Sequence, residues 1–168
     1  MAADFTLRVS VPEDAPRVTA LLQASYPVLM AEGYEGPLLT SVLPFMTQAN
    51  PALLSSGTYY LAEAAGGQVV GCGGWTRERP GTGEVADGLA HIRHFATHPD
   101  WVGHGVGRAI FEFCERAAKA AGVRRFECYS SLNAERFYLA LGFAKAGQMK
   151  VTLADGIGLP SILMIRSI

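Results

Sequence analysis

The first part of the chain combines a short strand pattern with two helical patterns. Thr6–Ser10 alternates apolar and polar residues, which predicts a first strand. Residues 12–25 begin with a proline and acidic residues and then carry apolar side chains at helical spacing, which predicts a helix with the stripe Val18, Leu21 and Leu22. A second helix is predicted near Leu38–Gln48, with a kink or interruption at Pro44 because proline lacks the N–H that a helix interior uses.

A hairpin pattern follows these helices. Thr58–Ala64 and Gln68–Arg77 are strand-like, and Ala65–Gly67 supplies the turn that joins them. Three glycines weaken the second strand and indicate a bulge or a close backbone approach: Gly71, Gly73 and Gly74. Pro80–Gly88 is polar and glycine-rich, so we expect a loop there.

The second half of the chain alternates strands and helices. Ala90–Thr97 is predicted to be a strand, and a helix follows over Gly105–Ala121. Another strand over Arg125–Ser130 precedes a short helix over Asn133–Leu141. Two strands close the chain, Gln148–Leu153 and Ile162–Arg166. The order β α α β β β α β α β β predicts an α/β fold with one mixed central sheet of six to seven strands and about four flanking helices.

Composition narrows the class of protein. With 168 residues, of which 49% are hydrophobic and 17% charged, the chain can bury one core and is not a disordered tail. The net charge of −1, without a basic stripe, argues against nucleic-acid binding. No apolar stretch is long enough to span a bilayer, and Met1–Asp4 shows no secretory signal.

The cysteines and histidines give no sign of a disulfide framework or a metal site. Three widely spaced cysteines in apolar segments indicate reduced, buried thiols and therefore a cytoplasmic protein; they are Cys72, Cys114 and Cys128. Cys128 is expected to be a core residue rather than a nucleophile. The four histidines between residues 91 and 104 straddle a strand and a loop, so we expect no metal to be bound.

The most informative segment is a glycine loop that joins the strand ending at Thr97 to the following helix. Its glycines alternate at positions 103, 105 and 107, which lets the backbone approach a ligand closely. The first amides of a helix lack intrahelical partners, and together with the helix dipole they form a site for phosphate oxygens. A tight strand-to-helix turn is the simpler alternative. No Gly-Lys-Ser/Thr follows, and the spacing is not Gly-x-Gly-x-x-Gly, so a triphosphate loop and a dinucleotide fold are disfavoured.

This loop resembles that of the GCN5-related N-acetyltransferase (GNAT) family. The family carries Arg/Gln-x-x-Gly-x-Gly/Ala after a Val-x-Pro strand end, and the matching stretch here is Val102–Gly107 after Thr97–Pro99. Val102 departs from the family, which removes a side-chain contact but leaves a backbone site. Downstream, Asn133–Phe143 resembles the family's Asn-x-x-Ala-x-x-Phe-Tyr-x-x-x-Gly-Phe signature with the alanine displaced.

The resemblance implies a single N-acetyltransferase domain that uses acetyl-CoA as cosubstrate. Residues from about 1 to 56 would form the acceptor side, and those from about 57 to 168 the coenzyme-binding core. Backbone groups of the strand end would polarise the thioester. The coenzyme-binding residues implied are Phe95, Ala96, Thr97, Val102, Gly103, His104, Gly105, Val106, Gly107, Arg108 and Asn133. Asn133 could instead cap its helix, and Arg108 could be solvated.

The resemblance also suggests catalytic groups. Tyr138 would be the general acid that protonates the departing thiolate; the alternative is an amphipathic packing residue. An amine of pKa about 10.4 is mostly protonated at neutral pH, so a base is needed. His91 is predicted to share a strand face with Phe95 and Thr97 by period two and has a suitable pKa, and Glu63 is the other candidate.

The sequence says least about the identity of the acceptor substrate. The wall implied by the family is Tyr26–Asn50, whose aromatic, methionine and glutamate side chains could hold a small primary amine or be ordinary packing. A protein or peptide amine, a non-catalytic CoA-binding regulatory module and a nucleotide-dependent enzyme stay as alternatives. The apolar end Ile162–Ile168 would suit a homodimer contact or a buried strand.

Overall fold

The computed structural model describes residues 4–153 and 156–168, so the prediction about a signal at Met1–Asp4 lies almost wholly outside the described residues. These residues form seven strands and five helices, which follow the predicted order except for the additional helix α3: β1 Phe5–Val9, α1 Ala15–Leu29, α2 Gly36–Met46, α3 Pro51–Leu54, β2 Tyr59–Ala64, β3 Val69–Thr76, β4 Leu89–Thr97, α4 Val106–Ala120, β5 Arg125–Ser131, α5 Glu135–Ala140, β6 Ala144–Thr152 and β7 Gly158–Ser167. No helix in this part of the chain is long and apolar enough to cross a bilayer.

All seven strands form one mixed sheet in the order β1-β2-β3-β4-β5-β7-β6, as the predicted α/β fold requires. Only β4 and β5 run parallel, and their pairing covers three positions, from Leu89 with Arg125 to His91 with Glu127. β5 continues to pair with β7 as far as Ser131 with Ser161. The two parallel strands therefore separate after His91, which opens a gap in the middle of the sheet.

The two faces of the sheet carry different helices. α4 and α5 cover one face, where Ile110 and Phe111 pack on Phe126 and neighbouring core residues. α1 covers the other face, where Leu22 packs on Leu61 and its neighbours. The amphipathic spacing of α4 explains its burial on one side, and Gly122 ends it in a left-handed conformation (φ 86°). Each helical layer thus has its own apolar cluster.

The glycines of β3 mark close approaches, as the sequence predicts. A side chain at Gly71 would meet Val106 at the start of α4, and one at Gly73 would overlap the ring of Phe95. The register of β3 with β4 also shifts between Cys72 and Gly74. These glycines let the start of α4 and the ring of Phe95 pack directly on the β3 backbone.

That register shift is a bulge in β4. Arg93 pairs with Gly74 and Ala96 with Cys72, so β4 holds one more residue than β3 here, and His94 takes a positive φ of 51°. Ile92 and Phe95 therefore pack on the α4 side, whereas Ala96 packs on the α1 side. The expectation that His91 shares a face with Phe95 and Thr97 is wrong, because the bulge reverses the alternation between them.

Helices in the N-terminal part differ from prediction at their ends. α1 runs four residues beyond Ser25, and α2 accommodates Pro44 in its last turn, where few bonds are lost. The short helix α3, which begins at Pro51 with Asn50 as its cap, was not predicted. α1 is fixed to the sheet edge by buried Asp14, which accepts hydrogen bonds from Arg8 (2.6 and 2.9 Å). These bonds lower the pKa of Asp14 to about 2.

The two C-terminal strands are longer than predicted. The residues at their outer ends are polar or small and therefore show no strand pattern in the sequence. β7 pairs with β5 on one side and β6 on the other, and Ile162 and Met164 are buried. Pro160 has no N–H to donate to a neighbouring strand. It is tolerated because the pairing of β7 with β5 ends at Ser161, so β5 offers no acceptor opposite Pro160. The apolar end thus forms a buried strand. Homodimer formation stays a prediction.

Candidate active site

A cleft of about 810 Å³ opens where β4 and β5 separate. The end of β4, the glycine loop and α5 line one part of it, and the wall formed by α1, α2 and the C-terminal strands lines the rest. We call these two parts the coenzyme half and the acceptor half. Of the thirteen residues predicted for the site, eleven line the cleft, and the exceptions are His91 and His104.

The glycine loop presents unpaired backbone amides at the start of α4. Gly105 takes a left-handed conformation (φ 79°), and the first helical hydrogen bond runs from the N–H of Ala109 to Gly105 O (3.0 Å). Within residues 4–153 and 156–168, no protein acceptor bonds the N–H groups of residues 105–108. Four amides at a positive helix end, with no side chain at Gly105 or Gly107, form a cradle that fits a diphosphate.

α5 fixes the other side of that cradle. A Cβ at Gly107 would lie 2.7 Å from the ring of Phe137, so glycine is needed for α4 and α5 to pack this closely. Arg108 lines the cleft and donates a hydrogen bond to Ala140 O (3.2 Å), which also links the two helices. Exposed Val102 lines the mouth of the cleft and offers no charge there.

His104 differs from the other residues that are predicted to bind the coenzyme. Its side chain does not line the cleft and instead packs beside Trp101, with ring centroids 5.7 Å apart. Its N–H donates to Trp101 O (3.3 Å), so this amide is already bonded. Binding of the coenzyme by His104 therefore stays a prediction, without support from the cleft lining. The reason is the turn after β4, which directs residue 104 outward while positions 103 and 105 face the cleft.

The end of β4 presents its backbone to the gap. The N–H of His98 donates to Val70 O of β3 (2.8 Å). Because the backbone N–H and C=O groups of successive strand residues point to opposite sides, those of Thr97 point away from β3. The carbonyls of Phe95 and Thr97 both accept hydrogen bonds from side chains of α1. Tyr26 donates its hydroxyl to Phe95 O (2.8 Å), and Ser25 donates to Thr97 O (2.7 Å). α1 therefore holds the strand end in place through two hydroxyl groups.

Tyr138 lies at the junction of the two halves. It lines the cleft from α5, is 5% exposed, and contacts the rings of Phe95, Phe137 and Phe143. Burial raises the pKa of Tyr138 well above its ordinary value, so the phenol stays protonated at neutral pH. Burial likewise raises the pKa of Cys128 to about 12, so its thiol is not a nucleophile.

Asn133 is positioned to bind a ligand rather than to cap a helix. α5 begins at Glu135, with Ala134 as its N-cap, so the predicted capping role is wrong. Among the described residues, the buried Oδ1 of Asn133 has no hydrogen-bond partner, and the residue lines the cleft. A buried acceptor without a donor is costly, which suits an N–H donor of a bound molecule, such as an amide of the pantetheine arm.

His91 is buried beneath the acceptor half rather than exposed in it. It is 2% exposed, lies beside Tyr129 with ring centroids 6.2 Å apart, and its Nδ1 is 3.8 Å from Glu127 Oε2. Burial, with Arg79 and Arg93 nearby, holds the pKa of His91 below its ordinary value, although Glu127 opposes this. The other proposed base, Glu63, is ion-paired with Arg8 (2.6 Å) and does not line the cleft.

The N-terminal wall of the acceptor half is mostly apolar. Four of its predicted residues line the cleft: Tyr26, Met30, Phe45 and Met46. Glu32 is the only carboxylate that lines it within the described ranges, and it is exposed. Glu35 does not reach the cleft. Tyr34 is structural, because its hydroxyl donates to Pro160 O (2.6 Å) and accepts from the N–H of Leu132 (2.9 Å).

Several lining residues were not found in the sequence. Arg93 and Tyr129 lie on the α1-side face of β4 and β5, and Val151, Leu159 and Ser161 come from the last two strands. Strict alternation along β4 places Arg93 on the same face as His91, and a cationic side chain at that position was the signal that could have found it. The others lie far along the chain from the glycine loop, and no local pattern connects them to it.

The fold and site together define an α/β acyltransferase with an acetyl-CoA cleft in a split sheet. The family model described as acetyltransferase (GNAT) domain matches residues 55–145, which is more than half of the chain. The chain therefore belongs to the GCN5-related N-acetyltransferase (GNAT) family and is an acetyl-CoA-dependent N-acetyltransferase.

Solved structures share this fold over the whole chain. A GCN5-related N-acetyltransferase from Rhodopseudomonas palustris is 24% identical with a TM-score of 0.77, covering 100% of this chain and 98% of the other. PaiA N-acetyltransferase from Thermoplasma acidophilum, in complex with coenzyme A, is 13% identical with a TM-score of 0.68, covering 98% and 99%. The ribosomal-protein-S18-alanine N-acetyltransferase from Escherichia coli is 16% identical with a TM-score of 0.65, covering 98% and 94%. At these identities the likeness shows the fold alone.

Proposed function

We propose that this enzyme transfers the acetyl group of acetyl-CoA to the primary amine of a small molecule by direct attack. The observation that carries the proposal is the shape of the acceptor half. Tyr34 ties the α1–α2 connection to Pro160 of β7 and to Leu132. The wall is therefore fastened to the C-terminal strands, and the space that it encloses suits a compact amine better than a polypeptide.

The coenzyme half is proposed to bind through its backbone. The free amides of residues 105–108 would hold the diphosphate, and Asn133 would accept a hydrogen bond from the pantetheine arm. The backbone of Phe95 and Thr97 lies beyond the β4–β5 pairing, where an amide can face the thioester carbonyl. Tyr26 and Ser25 hold this strand end, and a donor fixed in advance stabilises an oxyanion without reorganisation.

Tyr138 is proposed as the general acid. As the amine nitrogen bonds to the carbonyl carbon, the C–S bond breaks, and the thiolate takes the phenolic proton. Because the pKa of Tyr138 is raised, the proton is present throughout the neutral pH range and is transferred late, when charge has built up on sulfur. Its aromatic neighbours on α5 and β4 keep the phenol in one orientation.

His91 is proposed to accept the proton of the amine through a water molecule, since its ring does not line the cleft. Its imidazole is neutral at pH 7, because burial lowers its pKa, and its buried Nδ1 has no hydrogen-bond partner within the described part of the chain.

The test is an acceptor panel with acetyl-CoA, monitored by release of free thiol. The panel contains small primary amines, peptides with free N-termini and lysine side chains, and intact ribosomal proteins. We expect turnover with a subset of the small amines. Turnover confined to peptides or proteins would contradict the proposal, and so would coenzyme binding without thiol release for any acceptor, which would indicate a regulatory module.

A further inference from the structure

We propose that Arg93 binds a carboxylate of the acceptor, so that the substrate is an aminocarboxylate rather than a simple alkylamine or a polyamine. This inference rests on the proposed small-molecule function and names its substrate class. It follows from the placement of Arg93, from its lack of an anionic partner and from the distribution of charge around the acceptor half.

Arg93 lies in the acceptor half, two residues before Phe95 on β4, and its half-buried side chain lines the cleft. One of its five N–H donors is used, by Nη1 bonding Thr76 Oγ1 (2.9 Å). Within the described ranges, Arg93 has no carboxylate oxygen within 4.0 Å, although exposed Glu78 acts on it through space. A half-buried guanidinium with most donors free is suited to binding a ligand anion.

The neighbouring charges do not neutralise Arg93. Glu127, the carboxylate beside His91, is already shared by Arg79 (3.9 Å), Arg125 (3.6 Å) and the ring of His91 (3.8 Å). The only carboxylate among the described lining residues, Glu32, is exposed, whereas Arg93 is half-buried. The acceptor half therefore offers a half-buried cation, which disfavours a second ammonium group on the acceptor.

A carboxylate matches this site in both geometry and charge. The planar guanidinium pairs with two carboxylate oxygens at once, which fixes the orientation of the ligand. One residue, His94, separates Arg93 from Phe95, so the two lie within about 7 Å of each other along β4. A carboxylate on Arg93 would thus anchor the acceptor so that its amine lies near the thioester. The amine nitrogen forms the new C–N bond, the thiolate departs, and the carboxylate is unchanged.

Matched acceptors test the proposal with the full-length enzyme. Each set comprises a straight-chain amine, the ω-aminocarboxylate of the same length, its carboxamide and its phosphonate, in lengths of two to six carbons. For wild type we expect kcat/KM at least about tenfold higher for the aminocarboxylate than for its carboxamide, expressed mainly in KM. Arg93→Gln should remove this preference, because it should lower kcat/KM for the aminocarboxylate far more than kcat/KM for the carboxamide.

Two further variants separate binding from folding. Arg93→Lys should keep part of the preference, since it keeps the charge but loses the bidentate geometry. Arg116→Gln changes an arginine of α4 that stacks on Phe113 and does not line the cleft, so it should keep the whole preference. The thermal unfolding of each variant shows whether it is folded.

The outcomes distinguish this inference from the proposed function. If small amines are acetylated but wild type prefers the uncharged or cationic members, the role of Arg93 is refuted while the proposed function stands. A preference that survives Arg93→Gln, or one for the phosphonate over the carboxylate, also refutes it. If no small amine is acetylated, the proposed function itself fails.

Discussion

The coenzyme half and the acceptor half of the cleft are built in different ways. The coenzyme half uses backbone amides of one continuous segment, from the end of β4 to the first turn of α4. The acceptor half uses side chains from α1, α2, the bulged part of β4, β5 and the last two strands. The coenzyme half comes from one continuous segment, whereas the acceptor half comes from several distant segments. The two halves therefore differ in which substitutions they tolerate without loss of function.

This difference indicates how the same fold serves different acceptors. Backbone amides at a helix start recognise a diphosphate whatever the side chains around them, provided that Gly105 and Gly107 are kept. The acceptor half holds specific groups, such as Arg93 on one wall and Met46 on the other. Substitutions there change substrate preference without disturbing the coenzyme site. Three variants test this division, from the largest expected effect to the smallest.

Tyr138→Phe tests the junction between the halves. We expect kcat to fall at least about 100-fold, because the departing thiolate loses its proton donor, while the Kd of the coenzyme changes less than twofold. Single-turnover kinetics and isothermal titration measure the two quantities. Phe137→Leu on the same helix is the control for packing. Turnover at the wild-type level in Tyr138→Phe would remove this residue from the mechanism.

Gly105→Ala tests whether the coenzyme half depends on backbone conformation. Gly105 and Gly122 have similar positive φ values (79° and 86°), and a Cβ at either position would meet nothing within 4 Å. Both alanine variants should lose about 1 kcal/mol of unfolding free energy because of left-handed strain. Only Gly105→Ala should also weaken coenzyme binding, by about tenfold, because relief of the strain at residue 105 would move the amides that are proposed to hold the diphosphate.

Titration calorimetry and urea unfolding separate these two effects. Equal coenzyme affinity in Gly105→Ala and Gly122→Ala would show that the loop does not hold the diphosphate.

His91→Gln tests the acceptor half through pH. His91 has a pKa below its ordinary value of 6.5, so in wild type it is neutral and able to accept a proton at pH 7 and above. At pH 7 and above, His91→Gln should therefore have a kcat/KM several-fold lower than that of wild type. As the pH falls through the pKa of His91, wild type protonates this base and its advantage should disappear.

The kcat/KM of both enzymes is measured from pH 5 to pH 9. His104→Gln is the matched control, because this exposed ring lies outside the cleft lining. A ratio of wild type to His91→Gln that does not change with pH would assign the proton transfer to another group.

Some of the site could be predicted because it depends on short-range patterns. Alternating glycines after a strand predict the amide cradle, and helical spacing of apolar residues predicts α4. The role of His91 was argued from strict alternation, and that argument failed at His94, where a bulge adds one residue to β4. A bulge depends on the register with the neighbouring strand, which no local pattern reports.

The sequence by itself determined the order of all elements but α3, the mixed sheet and the position of the unpaired amides at the start of α4, because turn residues, hydrophobic period and helix starts act over a few residues. Only the tertiary structure decided which groups face the acceptor. The separation of β4 from β5, the reversal of faces at His94 and the tie between Tyr34 and Pro160 depend on contacts between distant segments. Such contacts form through packing of the whole core, so the acceptor half exists only in the folded chain.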